Sequence, residues 1–143
     1  MSSNNSIKVR AFSGAMVNDF YNYLEPLMEK TPDKLIIHAG TNDTMEKNAE
    51  DILCDLLQLK SYIFERFGIV AVISCPTLRT DNFMAKRKVS ELCSLINNLE
   101  IPFICNKNIS DDCLGKGGKH PGLHLNPKGS GRLATNFISY NRS

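Results

Sequence analysis

The fold is decided by the stretch Leu35-Ile36-Ile37-His38-Ala39-Gly40-Thr41-Asn42-Asp43. Its first part, residues 35–39, is continuously apolar apart from His38, and such a run predicts a strand that is buried on both faces. The polar residues that follow are typical of a turn. The stretch therefore predicts a strand of a parallel sheet that ends at a polar turn. His38 within it is interpreted as a buried structural histidine.

Strands and helices alternate along the rest of the chain. Apolar periodicity predicts, in chain order, a strand at 7–12, a helix at 16–28, the strand at 35–39, a helix at about 52–67, a strand at 69–74, a helix around 89–96, a short strand at 101–105, an irregular loop at 106–121 and a last helix at 127–138. This alternation predicts an α/β domain with a parallel sheet covered on both faces. In such folds the loops at the carboxyl ends of the strands carry the functional groups.

Length and composition predict one soluble domain over residues 1–143. The chain has 143 residues, which is enough for a single core, and its 42% hydrophobic and 22% charged residues do not suggest disorder. The formal net charge is only +2. The one dense basic run, Lys86-Arg87-Lys88, falls on a predicted helix and is interpreted as a solvated face, so it gives no argument for nucleic-acid binding.

The cysteines and the start of the chain predict an intracellular, cytoplasmic protein. The five cysteines are odd in number and lack close pairs, which indicates reduced, mostly buried thiols. Residues 1–6 are polar rather than apolar as in a signal peptide, and the apolar run at 69–73 is too short to span a bilayer. No metal and no cofactor is predicted. A flavodoxin-like nucleotide binder is a weaker alternative, because Gly115-Lys116-Gly117-Gly118 lacks the strand and helix that a phosphate loop needs.

Four short motifs, taken together and in order, resemble the SGNH (GDSL-like) hydrolase superfamily. They are Phe12-Ser13-Gly14-Ala15, His38-Ala39-Gly40-Thr41-Asn42-Asp43, Cys75-Pro76-Thr77-Leu78-Arg79 and Gly122-Leu123-His124-Leu125-Asn126-Pro127-Lys128-Gly129. Within that superfamily the chain resembles the esterase-like domains of the first open reading frame proteins of LINE-type retrotransposons. The resemblance implies a three-layer α/β/α sandwich with a flavodoxin-like parallel sheet, and a serine hydrolase that acts on an acyl or acetyl ester.

The resemblance also implies roles for three residues. His124 would be the general base that takes a proton from the nucleophile, and Asn42 and Gly14 would donate hydrogen bonds to the oxyanion. Each motif also has a plainer interpretation. Asn42 could belong to an Asx-turn at the end of its strand, and His124 could be a loop histidine that caps the last helix.

Two features depart from the family pattern. No Gly-Asp-Ser sequence, which supplies the nucleophile in the family, occurs in the chain, and the position that usually carries the Asp that orients the base is Pro121. Ser13 is a poor substitute, because by resemblance it lies on the turn that contributes an oxyanion donor. Cys75 and Cys105 end strands but are interpreted as buried, inert thiols.

In the family the missing motif follows the first strand, which is central in the flavodoxin-like order. We therefore expect a sheet that lacks this strand and a domain that is N-terminally incomplete. The strand at 7–12 would then pair directly with the strand at 35–39, or open edges would favour self-association with another chain. The sequence predicts an SGNH-type ester hydrolase domain that is inactive as it stands, with a small ester as the substrate of an active full-length domain. The alternative is a non-catalytic binding or scaffold domain of a retroelement-derived protein that handles nucleic acid through other segments.

Overall fold

The computed structural model describes residue 12, residues 14–30 and residues 32–142. The strands are β1 (Lys34–His38), β2 (Val70–Ser74) and β3 (Phe103–Ile104), and the α-helices are α1 (Leu24–Met28), α2 (Ala49–Phe67), α3 (Phe83–Asn97) and α4 (Pro127–Arg142). Short 3-10 helices lie at Val17–Asn22, Asn42–Met45 and Asp111–Cys113. The strand that the sequence predicts at 7–12 lies, apart from Phe12, outside the described residues.

The described strands form a parallel sheet in the order β1-β2-β3. Lys34 pairs with Val70 at the start of β1, and Ser74 pairs with Ile104 at the end of β2. In the flavodoxin-like order 2-1-3-4-5, the last three strands are likewise adjacent and in sequence order. The predicted fold class is thus confirmed.

Helices cover both faces of this sheet. The largest fully buried side chains include Ile73 of β2, which lies in one apolar core with the buried faces of α2 and α3. The opposite face carries His38, whose ring lies 5.9 Å from the ring of Phe137 on α4. Full burial of one Leu or Ile side chain contributes roughly 1.5–3 kcal/mol, so burial of the apolar faces of α2 and α3 stabilises the fold.

Helix α2 ends where the sequence predicts, but it begins at Ala49, earlier than the predicted start at about 52. Asn48 precedes its first turn and accepts a hydrogen bond from the backbone N–H of Asp51 at 3.0 Å. Gly68 follows its last residue with φ of 69°, and its N–H donates to the Phe64 carbonyl at 2.8 Å. A left-handed residue at this position closes a helix at little cost only when it is glycine.

The predicted helix at 16–28 is not a continuous α-helix. Its first half, Val17–Asn22, is a 3-10 helix, and only Leu24–Met28 is α-helical. Pro26 explains the break. It has no N–H to donate to the carbonyl of Asn22, and its ring would collide with that carbonyl in a continuous helix.

The prediction of mostly buried cysteines is wrong for two of the five. Cys75 and Cys113 are buried and Cys93 is partly buried, but Cys54 and Cys105 are exposed. Cys54 lies midway between Ile52 and Leu56, which face the core, so it points away from the core. All five thiols are free. Among residues 12, 14–30 and 32–142, no helix is both long and apolar enough to cross a bilayer.

Candidate functional site

Three loops meet at the carboxyl edge of the sheet. β1 leads into residues 39–48, β2 into residues 75–82 and β3 into residues 105–126. The carboxyl ends of parallel strands lie at one edge, so these loops are neighbours although they are distant in sequence. The residues that the sequence singles out all lie in these loops or against them.

Asn42 and Gly14 are brought together at this edge. A turn closes at residues 12–15, where the N–H of Ala15 donates to the Phe12 carbonyl at 3.1 Å and Gly14 has φ of 72°. The side-chain amide of Asn42 donates to the carbonyl of Ala15 at 2.9 Å. Among the described residues, the N–H of Gly14 has no acceptor and Asn42 makes no Asx-turn.

Asp43 fastens the segment after this turn to the loop after β1. The carboxylate is fully buried and accepts hydrogen bonds from the N–H of Val17 at 3.1 and 3.2 Å. Burial raises the pKa of Asp43, while the Val17 N–H and the nearby charge of Lys47 oppose the rise. The sequence indicates only a turn residue at Asp43, so this anchoring role is visible only in the structure.

Buried Arg79 and exposed Asp81 form an ion pair that we call the Arg79/Asp81 clamp. The Arg79 side chain is only 4% exposed and binds both carboxylate oxygens of Asp81, at 2.7 and 2.6 Å. Its remaining nitrogen donates to the Thr41 carbonyl at 2.9 Å, next to Asn42. The guanidinium holds the pKa of Asp81 below its usual range. The sequence signal for the clamp is an arginine in the loop after a buried strand with an Asp two residues later.

The same loop contacts the segment that carries His124. The N–H of Thr80 donates to the Gly122 carbonyl at 2.8 Å, and the N–H of Gly115 donates to the His124 carbonyl at 2.8 Å. Leu114 and Leu125 also form an isolated antiparallel bridge. His124 is therefore held at the same sheet edge as Asn42, through the loop that carries the clamp.

The imidazole of His124 is exposed and has no carboxylate partner among the described residues. Its ring contact is with His120, at 6.3 Å between ring centroids. Asp112 does not replace the Asp that the family places at position 121. Lys128 and Ser110 bind its carboxylate and lower the pKa of Asp112.

Asn126, rather than His124, caps the last helix. Its side-chain oxygen accepts a hydrogen bond from the N–H of Gly129 at 2.9 Å, and its amide donates to the Asp112 carbonyl at 2.8 Å. The helix lies so close to the preceding loop that a Cβ on Gly129 would sit 2.4 Å from the Cys113 carbonyl. The interpretation of His124 as a helix cap is therefore wrong.

His38 belongs to a separate polar network beneath the edge. Its Nδ1 lies 2.9 Å from the hydroxyl of Ser74, which also accepts a hydrogen bond from Asn106 at 2.7 Å. Asn136 donates to Asn106 at 3.0 Å. Burial lowers the pKa of His38 to about 4. Ser74 is fully buried, so this serine and histidine join strands rather than face a substrate.

A cleft of about 200 Å³ lies beside the His124 segment. Thr80 lines one side, and Leu114, Lys116 and Pro121 lie among the residues that line the other. Across the ranges that the structure describes, no cluster of three or more His, Cys, Asp or Glu side chains could hold a metal ion.

The fold is that of GDSL-like hydrolases. The structure is similar to a GDSL-like lipase from Bacteroides thetaiotaomicron, with a TM-score of 0.70 and 16% identity over 93% of this chain and 74% of that one. It is also similar to a Bacteroides fragilis protein assigned as an acylhydrolase, with a TM-score of 0.72 and 15% identity over 93% of this chain and 73% of that one. No family model and no curated protein matches the sequence.

Proposed function

We propose that the chain is an ester hydrolase domain of the SGNH type that retains a base and an oxyanion-binding pair but carries no nucleophile. The observation that carries the proposal is the hydrogen bond from the Asn42 amide to the Ala15 carbonyl, because it joins the loop that carries Asn42 to the turn that contains Gly14. The resemblance of the sequence motifs and the GDSL-like fold support the same assignment.

In this proposal the two N–H groups receive the oxygen that becomes negative when an ester carbonyl is attacked. Removal of one preorganised donor of this kind from an oxyanion hole costs about 2.7–4 kcal/mol of transition-state stabilisation. His124, at the same edge, would take a proton from the attacking hydroxyl and return it to the leaving group.

The chain itself is expected to turn over no ester. It contains no Gly-Asp-Ser, and among the described residues no hydroxyl or thiol is bonded to the imidazole of His124. A base without a nucleophile cannot form an acyl-enzyme. Incubation with a short-chain p-nitrophenyl ester should show no turnover. Clear activity that disappears in the His124→Ala variant would reveal a nucleophile and contradict this part of the proposal.

Anion binding tests the oxyanion pair without requiring turnover. Acetate, whose carboxylate stands in for the oxyanion, should shift the amide resonances of Gly14 and of the Asn42 side chain in a saturable NMR titration. The shift of Gly14 should be lost in Asn42→Ala and kept in Asn97→Ala, a matched change at an exposed position on α3. If acetate leaves both resonances in place, or shifts Gly14 equally in Asn42→Ala, the oxyanion assignment fails.

A non-catalytic binding or scaffold domain is the second candidate, and the absence of Gly-Asp-Ser favours it. If such a domain of a retroelement-derived protein bound RNA itself, affinity would fall steeply with salt. The basic run Lys86-Arg87-Lys88 on α3 offers few free charges for RNA binding. Lys88 is bonded to the Thr44 carbonyl at 3.2 Å, and the guanidinium of Arg87 lies 6.0 Å from the centre of the Phe83 ring. Salt-dependent RNA binding without anion binding at Gly14 would favour the second candidate.

A further inference from the structure

The guanidinium of Arg79 holds the turn that carries Asn42. Its Nη1 donates to the Thr41 carbonyl at 2.9 Å and lies 3.4 Å from the Thr44 hydroxyl. The Thr44 hydroxyl donates to the same Thr41 carbonyl at 2.6 Å. Thr44 is only 1% exposed, so these contacts lie largely inside the protein. Two donors from different parts of the chain therefore fix the position of one carbonyl oxygen.

That carbonyl belongs to the peptide unit between Thr41 and Asn42. A peptide unit is planar, so an oxygen that is held in place also holds the nitrogen and the Cα of the next residue. The side chain of Asn42 is then anchored at both ends, since its amide donates to the Ala15 carbonyl at 2.9 Å. A side-chain amide has two N–H groups, and the direction of the second is set once the first is bonded. Arg79 thus helps to set the direction of the Asn42 amide.

Arg79 does not reach a substrate itself. Its side chain is only 4% exposed, and its other two nitrogens bind the Asp81 carboxylate at 2.7 and 2.6 Å. All three nitrogens of the guanidinium therefore have partners inside the protein. An effect of Arg79 on ligand binding has to pass through the turn that carries Asn42.

We propose that Arg79 is a positioning residue for the oxyanion donors, which it preorganises by holding the Thr41 carbonyl. This inference rests on the proposed function, because it gives Arg79 a part in anion binding at Asn42 and Gly14. When a side chain has to be ordered on binding, the affinity falls roughly two- to twelvefold. Without Arg79, the Asn42 amide would have to be ordered by each anion that binds, whereas in the unaltered chain folding has already ordered it.

An NMR titration with acetate tests this role in Arg79→Met, which keeps much of the length of the side chain but has no donor. Acetate should bind this variant roughly two- to twelvefold more weakly than the unaltered chain. Thr44→Val, which removes the second donor to the Thr41 carbonyl, should change the affinity in the same direction. The matched control is Ile63→Val, a fully buried change in the last turns of α2 that also destabilises the fold but should leave the affinity unchanged.

The order parameter of the Asn42 side-chain amide measures the positioning without any ligand. It should equal that of rigid backbone, about 0.85, in the unaltered chain and fall below about 0.6 in Arg79→Met, whose far-UV circular dichroism spectrum should be unchanged. If Arg79→Met does not fold, the same comparison is made with Thr44→Val.

The inference is overturned if Arg79→Met keeps either the acetate affinity or the order parameter of the unaltered chain. It is also overturned if Ile63→Val weakens acetate binding as much as Arg79→Met does. If the unaltered chain binds no acetate, the proposed function fails. The order parameter then decides the positioning separately, since a fall in Arg79→Met supports it and an unchanged value overturns it.

Discussion

Replacement of Arg79 by Met should reduce the free energy of unfolding by about 1–3 kcal/mol, the usual cost of leaving a buried polar group without its hydrogen-bond partner. Asp81 is an exposed residue whose side chain is 20% exposed, so water solvates its carboxylate once Arg79 is gone, and the larger penalty for a stranded buried charge does not apply. The Thr41 carbonyl also loses its donor.

Urea unfolding followed by far-UV circular dichroism at about pH 7 measures this loss. The matched control is Arg87→Met, in which an exposed arginine on α3 is replaced and a change within about 0.5 kcal/mol is expected. A double-mutant cycle with Asp81→Asn should give a coupling energy of about 1–3 kcal/mol between the two side chains. A loss below about 1 kcal/mol for Arg79→Met, or no coupling with Asp81, would refute the clamp.

The pH dependence gives an independent check on the same pair. Arg79 lowers the pKa of Asp81 in the folded protein. A carboxylate of this kind contributes stability above its unfolded pKa of about 3.9, and the contribution is lost as the pH falls through the folded value. The difference in stability between the unaltered chain and Arg79→Met should therefore be largest near neutral pH and shrink below about pH 4. A difference that stays constant with pH would show that the charge of Asp81 is not involved.

Two further changes are predicted from the geometry. Gly122→Ala should destabilise the protein by more than about 1 kcal/mol in urea unfolding, because Gly122 has a φ of 81° and a Cβ there would lie 2.4 Å from the Thr80 hydroxyl. The control is Gly131→Ala, in open space on α4, which should be neutral or stabilising. Equal effects of the two changes would contradict this prediction. The pKa of His38 is lowered to about 4, so stability is fully present above the unfolded pKa of about 6.5 and is lost as the pH falls toward 4. His38→Gln should remove up to about 3 kcal/mol of that dependence, and parallel stability curves for the two proteins would rule it out.

Local interactions explain why the order of elements could be predicted from the sequence. The caps at Asn48 and Gly68 and the apolar spacing of α2 act within a few residues, so they can be seen in the chain itself. Pro26 was equally visible, but the apolar period around it resembles that of a continuous helix. In residues 16–28 the apolar side chains are still spaced to face the core, but Pro26 prevents one continuous α-helix.

The candidate site was only partly predictable. Asn42, Gly14 and His124 could be named because each lies in a short continuous motif that can be recognised in the sequence. Their catalytic roles are still predictions. The contacts that bring their segments together join residues far apart in sequence, with a separation of 26 residues from Val17 to Asp43 and of 38 from Thr41 to Arg79. No local pattern encodes such pairs.

The sequence by itself thus determined the α/β alternation and the residues that can donate or accept protons. The tertiary structure alone decided that Arg79 would be buried against the Asn42 loop and that Thr80 would hold the His124 segment. The physical reason is the parallel sheet. Each crossover returns the chain to the same edge, so strand ends that are separated by a whole helix become neighbours only after the sheet has formed.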